Sequence, residues 1–416
     1  MSGGAGVLIV GASAAGVSAA RELRRGGYAG PVTLLGAEAR APYRRPPLSK
    51  ELLVDGVADA ALALRLDAEL GVRLEAGRTA AGLDPAARAV TCADGAVYPY
   101  NGLVIATGAA PVHPWRDTAP AGVHLLRTLD DARALRGALS TARRVAVIGA
   151  GFIGAEVAAA ARRLGRDVTL IDALPTPHAA VLGPEIGTLC AGLHRDHGVA
   201  LRLGATVAGI DGADTGRPGQ GPEGAGADGN GRTGRVTSVR LANAPPVPAD
   251  LVVVGTGVRP ATGWLDGSGV ALDDGVVCDE RCAVLDEAGR VIDGVVAAGD
   301  VARWRHPGGT MRVEHWDNAV AQGRAAARTL LGAAEPYAPV PYFWSDQYDT
   351  KIQVVGVPRP DDAVTVVAGR TDERRFAAVY GRAGRVTAAL AMNLPRALGR
   401  CRDLVRSGAA YPPDGL

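Results

Sequence analysis

Two glycine-rich turns, each following a short apolar run, constrain this chain more than any other feature. The first run, Val7-Leu8-Ile9-Val10, leads into Gly11-Ala12-Ser13-Ala14-Ala15-Gly16. The second, Val145-Ala146-Val147-Ile148, leads into Gly149-Ala150-Gly151-Phe152-Ile153-Gly154. A buried strand that breaks into small residues and then opens a helix lets the backbone approach a pyrophosphate, and the free N–H groups of that helix bind the anion. One such turn is weak evidence, because glycine turns are common. Two, both after predicted strands, imply two bound dinucleotides and electrons passing between them.

At 416 residues the chain predicts two or three domains. Its net charge of +2 and its lack of a basic cluster with interleaved aromatics give no case for nucleic acid. No apolar run reaches the length of a membrane span, and Val7 to Val10 is too short for a signal-peptide core, so a cytoplasmic protein is expected. The five cysteines are scattered, which argues against a disulfide framework. Cys278 and Cys282 are spaced neither as a redox pair nor as a zinc knuckle, and no metal site is expected. Only Lys50 and Lys351 are lysines, so each carries more information than any one arginine.

Val17 to Arg25 reads as a helix and Pro31 to Leu35 as the next parallel strand, with Glu38 just beyond, where an acid reaches ribose hydroxyls. The second turn repeats this order: an alanine-rich helix from Gly154 to Leu164, then a strand from Val168 ending in Asp172. Asp172 reads either as a turn cap or as a ribose-binding acid, and its distance from Gly149 favours the second. An acid there, with no arginine before His178, favours NAD(H) over NADP(H). Further strand-then-glycine patterns end at Thr107-Gly108, at Gly255-Thr256-Gly257 and at Gly299-Asp300. The tract from Gly212 to Gly234 lacks apolar residues and reads as a mobile hairpin tip. From Tyr342 aromatics concentrate, and strand-like runs at 352–357, 363–367 and 376–380 precede a final helix, as in a separate antiparallel α+β domain.

Together these residues resemble the NADH-dependent ferredoxin reductases that serve bacterial oxygenases, of the putidaredoxin reductase and biphenyl dioxygenase reductase type. The resemblance covers essentially the whole chain. It rests on Tyr43 to Lys50, Leu126 to Ala132, Ala298-Gly299-Asp300, Val313-Glu314-His315-Trp316 and Phe343-Trp344-Ser345-Asp346-Gln347. It implies an α/β fold with two Rossmann-like domains. An FAD domain (1–114 and 247–329) is split by an inserted NAD domain (115–246), and an α+β domain (330–416) follows.

For FAD the resemblance implies contacts at Gly11, Ser13, Ala14, Ala15 and Gly16, at Glu38 or the neighbouring Ala37, and at Arg45, Lys50 and Ala80. It adds Thr107, Gly108, Arg127, Gly299 and Asp300, with Glu314, His315 and Trp316 lining the ring. For NAD it implies Gly149, Gly151, Phe152, Ile153 and Gly154, with Asp172 on the ribose and Gly257 near the nicotinamide. The family usually carries an acid at position 37, where this chain has Ala37.

The expected reaction moves a hydride from NADH to FAD N5 and then single electrons to an iron–sulfur ferredoxin, which feeds a terminal oxygenase. A fixed positive charge stabilises a reduced flavin, and Lys50 is the candidate. A buried lysine needs a partner, and Glu156 is expected to pair with it across the two dinucleotide domains. Trp344 is expected to wall the nicotinamide pocket. Ferredoxins are typically acidic, so Arg65, Arg73, Arg303, Arg305 and Arg312 are docking candidates. A disulfide reductase would need cysteines that the stretch from Tyr43 to Lys50 lacks. A redox-sensing flavoprotein like apoptosis-inducing factor is the alternative.

Overall fold

A computed structural model describes residues 5–213 and 234–413. The expected hairpin tip falls, apart from residues 212, 213 and 234, outside the described residues. The chain forms two compact units. The first comprises Met1–Arg44, Ala58–Ala110 and Val258–Phe343, and the second Arg45–Val57, Pro111–Gly257 and Trp344–Leu416.

The first unit is built on a sheet whose parallel part runs Val291–Ala297, Gly102–Ile105, Val7–Val10, Val32–Gly36, Val72–Ala76. Strand side chains alternate between faces. Val7 and Ile9 pack on one side with Val17, Ala20 and Leu23 of the helix Ala14–Arg25, and with Ala326 and Ala327 of the helix Trp316–Leu330. Leu8 and Val10 pack on the other side with Leu35, Ile105 and the fully buried Trp304. Both faces are covered, so the strands read as unbroken apolar runs.

The second unit repeats the plan with five parallel strands in the order Ala200–Leu203, Asp167–Asp172, Arg144–Ile148, Leu251–Val254, Val123–His124. Val145 and Val147 face the helices Leu129–Thr141 and Phe152–Arg163, while Ala146 and Ile148 face Val236, Val239 and Leu241. The tail contributes a five-stranded sheet in the order Tyr342–Gln347, Thr350–Gly356, Arg385–Met392, Arg375–Arg382, Ala363–Arg370, followed by the helix Pro395–Ser407. The strand Arg385–Met392 is not among the expected ones. Its core is Ala388-Ala389-Leu390-Ala391, and alanine is a weak strand former. Tertiary burial, which is complete for those four residues, overrides the propensity.

All five cysteines are free and buried. Among the described residues no helix is long and apolar enough to cross a membrane.

Candidate active site

The two glycine turns are wired alike. Gly11 N–H donates to Leu35 O and Gly149 N–H to Ile171 O, at 2.9 and 2.8 Å. Each first glycine has positive φ, +122° and +100°, and a Cβ there would collide with the carbonyl of Ala106 or of Gly255. Gly16 and Gly154 press their helices onto Gly11 O and Gly149 O, which again leaves no room for a side chain. Gly151 differs, because a Cβ there would meet nothing within 4 Å. Nothing among the described residues demands glycine at that position, so its bareness leaves space for a ligand. Neither helix has a side-chain cap or an acid in its first turn, which leaves the N–H groups and the positive dipole end for an anion. The residues therefore fit dinucleotide pyrophosphates at both turns. Ser13 sits at the N-cap of the first helix, whereas Ala14 and Ala15 are buried in the core.

In the first unit Tyr43 Oη donates to Glu38 Oε2 at 2.5 Å, which fixes the carboxylate beside the exposed Ala37. Thr107 Oγ1 donates to Ala261 O at 2.9 Å, and Gly108 follows with φ of +70°. Ala80 opens the strand Ala80–Asp84 and is half-buried. Gly299 N–H donates to Oε1 of the fully buried Gln322 at 2.9 Å, so a helix residue that sequence reasoning missed holds the turn before Asp300. Arg312 pairs with Glu314 at 2.5 Å and Asp274 at 3.0 Å, and it donates to the Asp300 carbonyl at 3.3 Å. His315 precedes the helix that Trp316 opens, and its ring lies 4.3 Å from that of Phe343. Burial lowers the His315 pKa to about 4. Of the docking candidates, Arg73, Arg303 and Arg312 are already in ion pairs.

In the second unit Asp172 accepts from Ala150 N–H at 2.5 Å and from Leu174 N–H at 2.8 Å. The carboxylate thus does cap the turn, and each oxygen keeps a lone pair for a hydroxyl. Phe152 stacks on His178 at 4.4 Å, Ile153 is 47% exposed, and Gly257, with φ of +100°, faces open space. Arg45 Nη1 donates to Arg127 O at 2.5 Å. The segment around Arg127 owes its conformation to a capping box, in which Thr128 Oγ1 accepts from Asp131 N–H and the Asp131 carboxylate accepts from Thr128 N–H.

Lys50 Nζ lies 2.8 Å from Glu156 Oε2. Both residues belong to the second unit, because residues 45–57 pack there, so the pair is internal to one unit. Glu156 is 3% exposed, and it also accepts from Ser49 Oγ at 2.5 Å and Ser345 Oγ at 2.6 Å. Neither hydroxyl was expected. The signal for Ser345 was there: in the strand Tyr342–Gln347 every second residue points inward, which buries Ser345 and Gln347 and leaves Trp344 and Asp346 half-exposed.

The sequence model of the pyridine nucleotide-disulphide oxidoreductases matches residues 5–323, and that of the reductase C-terminal domain residues 342–416. The chain belongs to the pyridine nucleotide-disulphide oxidoreductase family. It is 34% identical over 414 residues to rhodocoxin reductase of Rhodococcus erythropolis, covering 98% of this chain and 91% of that protein. It is 37% identical over 423 residues to the ferredoxin–NAD(+) reductase component of the anthranilate 1,2-dioxygenase system of Burkholderia cepacia, covering 98% and 96%. The solved covalent complex of putidaredoxin reductase with putidaredoxin aligns with a TM-score of 0.87 at 29% identity, covering 97% of this chain and 94% of that one. As a pyridine nucleotide-disulphide oxidoreductase the chain is an oxidoreductase whose cofactors are FAD and NAD(H). No cysteine lies between Tyr43 and Lys50, and all five cysteines are buried.

Proposed function

We propose that this chain is an FAD-dependent NADH:ferredoxin reductase and that it supplies electrons, through an iron–sulfur ferredoxin, to an oxygenase in the cytoplasm. The observation that carries the reading is the second glycine cradle, which duplicates the wiring of the first and leaves ligand space at Gly151. Near-complete alignment with reductase components of oxygenase systems supports it over a redox-sensing interaction protein. Five unpaired cysteines suit a reducing compartment.

FAD, when bound, supplies the exchange between two-electron and one-electron transfer. The chain's own residues set the conditions. The turn from Gly11 to Gly16 holds the FAD pyrophosphate, with Glu38, steadied by Tyr43, on the ribose. The turn from Gly149 to Gly154 holds NAD, and Asp172 both shapes that turn and repels a 2′-phosphate. Lys50 presents a fixed positive charge, and Glu156 keeps it in place. Trp344 and Gly257 border the nicotinamide end.

NADH oxidation coupled through a ferredoxin to cytochrome c, against a control without ferredoxin, tests the reading. Ferredoxin-dependent turnover is expected. Slow turnover that ferredoxin does not accelerate would overturn it.

A further inference from the structure

Behind the Lys50–Glu156 pair runs a row of buried polar side chains. Ser345 Oγ accepts from Gln347 Nε2 at 3.2 Å, and the same amide nitrogen lies 3.1 Å from His178 Nε2. Ser345 and Gln347 are 0% exposed and His178 is 4% exposed. His178 belongs to the nucleotide turn: its N–H donates to Ala150 O at 3.0 Å and its ring stacks on Phe152.

The hydrogens in this row have only one consistent arrangement. Glu156, ionised against Lys50, is an acceptor only. The single Ser345 hydroxyl hydrogen, spent on Glu156 Oε1, leaves Ser345 Oγ to accept from Gln347. That orients the amide, whose second hydrogen goes to His178 Nε2, so this nitrogen must be bare. Burial, which lowers the His178 pKa to about 3, keeps the ring neutral at neutral pH, and this arrangement puts its one proton on Nδ1. Turned the other way, the amide would offer Oε1 to Ser345 and draw the hydroxyl hydrogen off Glu156. Gln347 Oε1 and His178 Nδ1 have no partner among the described residues, a cost that an apolar residue at 347 would avoid.

We propose that Gln347 is a positioning residue for the Lys50–Glu156 pair, acting through Ser345, and that it ties that pair to the nucleotide turn at His178 and Phe152. Without Gln347 the Ser345 oxygen loses the donor that fixes it, its hydroxyl sits less steadily on Glu156 Oε1, and Lys50 is held less firmly. The inference deepens the proposed function, but its main test does not depend on that function.

Because Lys50 and Lys351 are the only lysines, trace acetylation of the FAD-loaded protein reads Lys50 against Lys351 and the N-terminal amine. Mass spectrometry of the peptides gives the ratio. Gln347→Met keeps the length and removes both donors. It is expected to raise relative Lys50 labelling by about threefold, as a side chain that leaves Glu156 more often meets the reagent more often. Ser345→Ala is expected to do the same, and the double variant no more than Ser345→Ala alone. Unchanged labelling in Gln347→Met, at wild-type FAD content, would overturn the proposal. Should that variant fail to bind FAD, unchanged labelling in Ser345→Ala overturns it equally. Increments that add in the double variant would overturn the route through Ser345. In rapid mixing with NADH, the Gln347→Met bleaching rate at saturation should fall about fivefold, with half-saturation moving less than about twofold. A shift in half-saturation alone would count against positioning. If NADH failed to bleach even the wild-type protein, the proposed function would fall and the labelling result would stand.

Discussion

Among the described residues Lys50 is the one cation paired with Glu156, so Lys50→Met leaves a carboxylate, 3% exposed, with two hydroxyl donors. At an effective dielectric of about 20, unit charges 2.8 Å apart attract by about 6 kcal/mol. Taking the carboxylate and ammonium out of water offsets several kcal/mol of that, and the two serine hydroxyls persist. The expected loss of stability is therefore about 2–3 kcal/mol. Glu156→Gln in the same background removes the stranded charge, so the double variant should recover about 2 kcal/mol relative to the sum of the single losses. Urea unfolding at a fixed, saturating FAD concentration gives the cycle. Single losses that add to within about 0.5 kcal/mol would mean that the two groups are not coupled. The kinetic arm is independent of stability. Removing a preorganised charge that supports developing negative charge slows the step by about 10²–10³, so NADH should bleach Lys50→Met flavin far more slowly while FAD stays bound. An unchanged bleaching rate would refute the role assigned to Lys50.

Gly151→Ala adds a methyl that meets nothing among the described residues, so the melting temperature should stay within about 1–2 °C while NADH binding weakens at least about tenfold. Gly149→Ala instead collides with the Gly255 carbonyl at a positive φ, and it should lose stability as well as NADH affinity. Isothermal binding titration and thermal melts separate the two cases. Burial holds His178 near pKa 3 and His194 near 4, whereas unfolded histidine titrates near about 6.5. The unfolded chain then binds protons first, so stability is complete above about pH 6.5 and declines as pH falls toward about 4, by up to about 2.7 kcal/mol per pH unit. A melting temperature that stays flat from pH 6.5 to 5 would refute this. A thiol reagent should titrate no cysteine in the native protein and all five in urea, and fast native labelling of even one would contradict their burial.

The local sequence determined both glycine cradles. A four-residue apolar run followed by small residues reads as a doubly covered strand ending in a tight turn, whereas the carbonyls that exclude a side chain at Gly11 and Gly149 come from Ala106 and Gly255 in neighbouring strands' turns. Asp172 at the end of its strand was legible for the same reason, although its grip on the Ala150 and Leu174 N–H groups appeared only in three dimensions. Tertiary structure alone decided what surrounds Glu156. Ser49, Ser345, Gln347 and His178 come from segments up to 298 positions apart, and no period or propensity links a serine in a proline-rich turn to one in an aromatic strand. It is burial that decides their roles: a carboxylate removed from water must find donors wherever the packed chain brings them. The alanine-rich strand Arg385–Met392 follows the same rule, because its conformation was settled by the sheet around it rather than by its own residues.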